Sequence, residues 1–175
     1  DATLDVSVSG LKDVTAKGQL SASDMVLAGG PLGPDQPQME EMSLDFSARR
    51  QGNAVQVETF VLRSPMADAQ MSGRLPIMPT GLPKDGNLDL EASADIAAVA
   101  AAVPSLLRLR RNLTVTGGKA ELKATGKVAD GAASLQADAR LSGLTAKRGS
   151  ETLALKEPVE FRVNASASEE KLELE

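Results

Sequence analysis

The chain has 175 residues, a formal net charge of −5, no His, Cys, Trp or Tyr, and three Phe as its only aromatic residues. Without imidazole or thiol it lacks the groups that titrate or react near neutral pH without heavy perturbation. It also lacks the usual ligands of zinc, copper and iron, so neither an enzyme nor a cofactor or metal site is expected. The acidic balance and the scarcity of stacking rings argue against nucleic acid as a partner, and the absence of Trp and Tyr argues against sugar binding.

Along the chain the dominant period is two. Leu4-Val6-Val8, Ala16-Gly18-Leu20-Ala22, Met42-Leu44-Phe46-Ala48, Val55-Val57-Thr59-Val61 and Ala67-Ala69-Met71-Gly73-Leu75 each alternate with polar residues. So do Leu88-Leu90-Ala92, Leu113-Val115, Ala120-Leu122-Ala124, Ala133-Leu135-Ala137-Ala139-Leu141, Val159-Phe161-Val163-Ala165 and the closing Leu172-Leu174. Side chains alternate across a strand, so these segments predict half-buried strands with one apolar and one wet face. Turns are expected at Gly10, Gly29-Gly30-Pro31, Gln51-Gly52-Asn53, Asp85-Gly86, Gly117-Gly118, Asp130-Gly131 and Arg148-Gly149, with longer loops over residues 29–38 and 76–85.

One segment departs from the pattern. Asp95 to Val103 places Ile96, Val99 and Val103 on one helical face, with Asp95 as N-cap and Pro104 as terminator. The expected fold is therefore mainly all-β: an elongated, curled antiparallel sheet of nine to eleven strands with one short helix. Residues 1–94 form a first β block, 95–111 the helix and connector, and 112–175 a second, truncated block, most simply joined in one sheet.

An internal repeat supports that division. Residues 40–58 align without gaps to residues 157–175, setting Met42, Leu44, Phe46, Ala48, Val55 and Val57 on Val159, Phe161, Val163, Ala165, Leu172 and Leu174. Upstream, the segment beginning at Gly18 resembles the one beginning at Ala132. A repeat with one apolar face cannot bury it alone, and stacking of copies gives an elongated sheet. The chain opens on Asp1 and both ends lie in alternating pattern, which reads as an internal piece of a longer polypeptide.

Several local patterns carry no chemistry. Ser9-Gly-Leu-Lys12 matches the S-x-x-K pattern but falls at a strand end, and residues 118–127 have the wrong spacing for a phosphate loop. Asp89, Glu91 and Asp95 could crowd around calcium, yet a solvated strand face and a helix cap account for all three. The sequons at Asn112 and Asn164 lie in predicted strands. Arg108, Arg110 and Arg111 form the densest basic cluster and are candidate contacts for anionic lipid headgroups, against a plainer role beside the helix C-terminus.

The strands of the type Gly18-Gln-Leu-Ser-Ala22, the Ala-rich helix from Asp95 to Pro104, and the later strands ending in Leu141-Ser-Gly-Leu144 resemble the AsmA-like superfamily of Gram-negative envelope proteins, over the whole chain as a fragment. The resemblance implies an inner-membrane-anchored protein whose periplasmic part is a long curled sheet, a β-taco, that conducts phospholipid toward the outer membrane. It carries no catalytic motif. On this reading Leu4, Val6, Val8, Leu20, Leu44, Phe46, Val55, Val57, Leu113, Val115, Leu135, Phe161 and Val163 line a lipid-binding groove for acyl chains, with the inner membrane as the parent protein's anchor. An isolated chain could dimerise through a sheet edge. The competing reading is a structural β-repeat spacer or adhesin-type stalk with a filled core and no ligand.

Overall fold

The computed structural model describes residues 2–8, 13–77, 85–109, 112–129, 131–168 and 172–174, with the backbone alone at 2–8, 13, 31 and 172–174. The alternating segments form strands throughout: β1 (Ala2–Val8), β2 (Asp13–Val26), β3 (Gln38–Gln51), β4 (Ala54–Arg63), β5 (Ala67–Pro76) and β6 (Asp85–Asp95) precede the helix α1 (Ile96–Ala102). After it come β7 (Leu113–Ala129), β8 (Ala132–Arg148), β9 (Glu151–Ala154), β10 (Val159–Ala167) and β11 (Leu172–Leu174). All described strands join one sheet in the order β1-β2-β3-β4-β5-β6-β7-β8-β10-β11, with β9 beside β8.

Every pairing is antiparallel and nearly every neighbour is the next strand in sequence, so the sheet is a meander built by local hairpins. β9 and β10 pair with successive stretches of the same edge of β8. They act as one strand interrupted by residues 155–158. β1 and β11 are not paired to each other, so the sheet is open.

The structure departs from the sequence expectation in three places. In β4 the register slips at Glu58: Val57 pairs with Ala48 but Thr59 with Ser47, so Glu58 is an extra residue, and its Oε2 accepts a 2.9 Å hydrogen bond from Ser47 Oγ. The bulge switches parity. Phe60 and Leu62 share the face of Val55 and Val57, whereas Thr59 and Val61, expected there from the sequence, lie on the opposite face. Gly117 and Gly118, expected as a turn, lie inside the 17-residue strand β7 at two register shifts. Asp85 and Gly86 likewise belong to β6 instead of the loop before it.

α1 begins where the sequence places it. Asp95 caps it, its Oδ1 accepting from Ala98 N at 3.0 Å, and the helix stops before Val103 and Pro104. α1 lies against β7 at Gly118, where an added Cβ would stand 3.4 Å from the Ile96 side chain and 3.2 Å from that of Leu144. The β2–β3 loop, with a 3-10 turn over Gly30–Leu32, reaches the same end of the sheet. There Asp35, only 6% exposed, accepts hydrogen bonds from the backbone N–H groups of Ser105 (3.2 Å) and Leu106 (2.8 Å). Burial pushes its carboxyl up, but these donors outweigh that effect and hold its pKa below the ordinary value.

Candidate functional site: an open apolar face

Strand register converts the alternation into rows that run across the sheet. One row is Leu4, Gly18, Phe46, Phe60, Met71, Leu90, Ala124, Ala137 and Val163; the next is Ala2, Leu20, Leu44, Leu62, Ala69, Ala92, Leu122, Ala139 and Phe161. On the other side of the first lies Val6, Ala16, Ala48, Val57, Gly73, Leu88, Gly126, Leu135, Ala165 and Leu174. No polar residue enters these three rows. Paired residues share a face and so do alternate residues along a strand, so the rows make one continuous apolar surface. From β2 to β10, where side chains are described, eight strands at a spacing of about 4.8 Å give it a contour of roughly 34 Å.

A fourth row at the end remote from α1 contains Val14, Arg50, Val55 and Leu75, and continues in register through Val128, Ala133 and Ala167. Arg50 is its one charged member and sits at the margin, its Nε donating to Gly52 O at 3.2 Å.

The opposite face carries a ladder of polar pairs. Gln70 donates to Glu91 at 2.8 Å, Lys123 Nζ reaches the other oxygen of Glu91 at 3.1 Å, and Arg162 Nε donates to Asp138 at 2.6 Å. Hydrogen bonds from Lys123 and then Gln70 lower the Glu91 pKa, and that from Arg162 lowers the Asp138 pKa. These exposed pairs are screened by water and contribute little stability individually, but they fix the wet face. Asp89 belongs to that face as well, and no group of three or more metal-ligating side chains occurs among the described residues.

The apolar face is not packed shut. Among the described residues no large side chain is fully buried, and the buried aliphatic side chains are Ala54, Val57, Ala100 and Val103, beside Pro37 and Gly73. Phe161 is 62% and Leu135 45% exposed. The accessible surface is 12101 Å², against about 8,100 Å² expected for a compact monomer of 18.2 kDa.

Near the end remote from α1 the face holds an almost wholly apolar concavity of about 280 Å³. Leu75, Leu88, Val128 and Leu135 wall it, and Gly86, Gly126, Ala133, Ala165 and Ala167 leave the space between them. A Cβ at Gly126 would meet nothing closer than 3.8 Å. The opening there is thus not filled by the backbone or its neighbours.

The groove residues named from sequence are largely brought together. Leu20, Leu44, Phe46, Val55, Val57, Leu135, Phe161 and Val163 fall on the one apolar face. Leu4, Val6 and Val8 pair with Gly18, Ala16 and Val14, with side chains outside the description. Leu113 and Val115 pair with Arg148 and Ala146 beyond the two shifts in β7, apart from the continuous rows. Arg108 is exposed in the turn after α1; Arg110, Arg111, Gly10, and Ser9 to Lys12 lie outside the described residues.

Phe60 and Leu62 belong to the face without being among the residues named from sequence. The restart of alternation after one extra residue, Val57-Glu-Thr-Phe60-Val-Leu62, is their only signal.

The repeat is visible as geometry. Met42, Leu44, Phe46 and Ala48 occupy the same rows as Val159, Phe161, Val163 and Ala165, and Ala48 pairs with Val57 as Ala165 pairs with Leu174. The upstream match is not, since Leu20 and Leu135 fall in different rows. No helix among the described residues is long and apolar enough to cross a membrane. Against family models, curated proteins and solved structures the chain shows no match.

Proposed function

We propose that this chain shelters lipid acyl chains on the apolar face of its sheet. It does so as a periplasmic part of a longer, inner-membrane-anchored, AsmA-like protein that conducts phospholipid toward the outer membrane, without catalysis. The observation that carries the reading is the combination of rows that stay apolar across the whole sheet with the lack of any fully buried large side chain among the described residues. A structural spacer has no need to leave such a face open, and exposed apolar surface on this scale marks an interaction site.

The chemistry is that of transfer from water. Each buried methylene contributes about 0.8 kcal/mol, so an acyl chain crossing several strands gains enough to be retained while remaining free to slide, because no polar group fixes it. The concavity lies at the lower end of the roughly 300–1,000 Å³ that small-molecule sites span, suited to one length of hydrocarbon and not to a whole lipid. In isolation the two sheet edges are the proposed contact between copies.

The test is extraction and native mass spectrometry of protein purified without detergent. Phospholipid should accompany the wild type, and Gly126→Phe, which projects into the concavity from an unstrained position, should lower the lipid recovered at least about fivefold while leaving the far-UV spectrum unchanged. Consistently empty wild-type protein would return the chain to the spacer reading.

A further inference from the structure

The turn that follows α1 presents apolar surface where none is required by packing. Leu106 is 50% and Leu107 45% exposed, side by side, at the end of the sheet where the β2–β3 loop also arrives. Their exposure is built in. Leu107 N donates to Val103 O at 3.2 Å, Arg108 N to Ser105 O at 3.0 Å and Leu109 N to Pro104 O at 3.0 Å, and the Asp35 carboxylate holds the N–H groups of Ser105 and Leu106 from about seventy residues away. Arg108 takes the left-handed conformation, φ 51°, which a non-glycine residue adopts only at a local cost. Backbone strain and a buried carboxylate are thus both committed to fixing a turn whose tip is two leucines.

Charge says what such a tip meets. Residues 96–118 contain three Arg and no Asp, Glu or Lys, a segment of +3 in a chain of net −5. Arg108 is exposed directly beside Leu107; Arg110 and Arg111 enter here by their charge alone. Apolar side chains flanked by arginine match the boundary between acyl chains and anionic headgroups, where each nearby basic residue adds an attraction that a neutral bilayer does not offer.

We propose that Leu106, Leu107 and Arg108 form a membrane-docking tip: the two leucines enter the interfacial region of an anionic lipid bilayer and Arg108 pairs with headgroup phosphate. The inference deepens the lipid reading above but stands on separate residues, remote from the concavity lined by Leu88 and Leu135.

The chain has no Trp or Tyr, so Leu107→Trp introduces a single fluorescent reporter. Its emission should shift to the blue on adding phosphatidylcholine vesicles containing phosphatidylglycerol, and much less with phosphatidylcholine alone. In sedimentation with the same vesicles, L106S/L107S should weaken binding at least about tenfold. R108Q should weaken it about fivefold on anionic vesicles only.

The tip is refuted if emission of the L107W variant is unmoved by anionic vesicles, or if L106S/L107S, folded by circular dichroism, binds them as wild type does. A blue shift that follows protein concentration without vesicles overturns it too, reassigning the turn to self-association. Lipid carried through purification is read with no vesicles present, so an empty groove with a responding reporter, or the reverse, tells the two proposals apart.

Discussion

At the level of single residues, glycines separate what the sheet needs from what the site needs. Gly73 has φ 151°, and a Cβ there would lie 2.2 Å from Asn87 O, so no side chain fits without moving β6. Gly126 sits in the same row of the apolar face, where an added Cβ would make only ordinary van der Waals contacts, 3.8 Å from Leu88 Cβ and 3.9 Å from Ser134 O. The two should therefore respond oppositely in urea unfolding: Gly73→Ala should destabilise by about 2–4 kcal/mol, and Gly126→Ala should be neutral or stabilise by about 0.5 kcal/mol. Equal losses at both positions would show that Gly126 is also a backbone requirement. Sequence alone treats the two alike, because each is a glycine at an inward position of an alternating run. The distinction arises from the bulge opposite Gly73, where β4 sets two residues, Glu58 and Thr59, against one, Ser72, on β5.

Among the elements, that same bulge decides which side of β4 is wet. Deleting Glu58 leaves a strand with uninterrupted alternation, in which Thr59 still faces Ser47, and Phe60 and Leu62 keep the apolar face opposite Phe46 and Leu44. The expected outcome is stability within about 1 kcal/mol of wild type in urea unfolding, with no increase in binding of a dye such as ANS. A large loss with new dye binding would mean that the bulge itself, and not the apolar face, fixes the register of β4. The strands themselves are legible in sequence, down to alternation in nearly every one, because a sheet with one wet side imposes period two on residue chemistry. α1 is legible for a different reason: an Asp cap, an alanine run and a proline stop act within about a dozen residues. The insertion of Glu58 is not, since a single extra polar residue in an alternating run looks like a continuation in the wrong parity.

Across the whole molecule, strands pair mainly with their sequence neighbours, and a long-range tie outside the sheet joins Asp35 to the turn after α1. Its acid dependence follows from direction. Asp35, Glu91, Glu121 and Asp138 all have pKa values lowered in the folded chain, so each contributes stability that is fully present above its unfolded value and is lost as pH falls through the folded one. The midpoint of thermal unfolding should be flat from neutral pH to about 5 and fall below about 4. Asp35→Asn, which cannot ionise, should flatten part of that fall and loosen amide protection at Ser105 and Leu106, read by hydrogen exchange. Unchanged protection there would remove Asp35 as the holder of the turn.

Local pattern was enough to establish the class of this protein, a one-sided β meander with a short capped helix and no imidazole or thiol chemistry, because periodicity, capping and composition are properties of neighbouring residues. Three further features came only with the folded chain: the apolar sides of the described strands join in continuous rows, the face stays open with a concavity above Gly126, and Asp35 fixes a leucine-tipped turn far along the sequence. Each depends on register and on approach between segments distant in the chain, and a one-residue shift in pairing leaves the composition intact while changing which side chains meet.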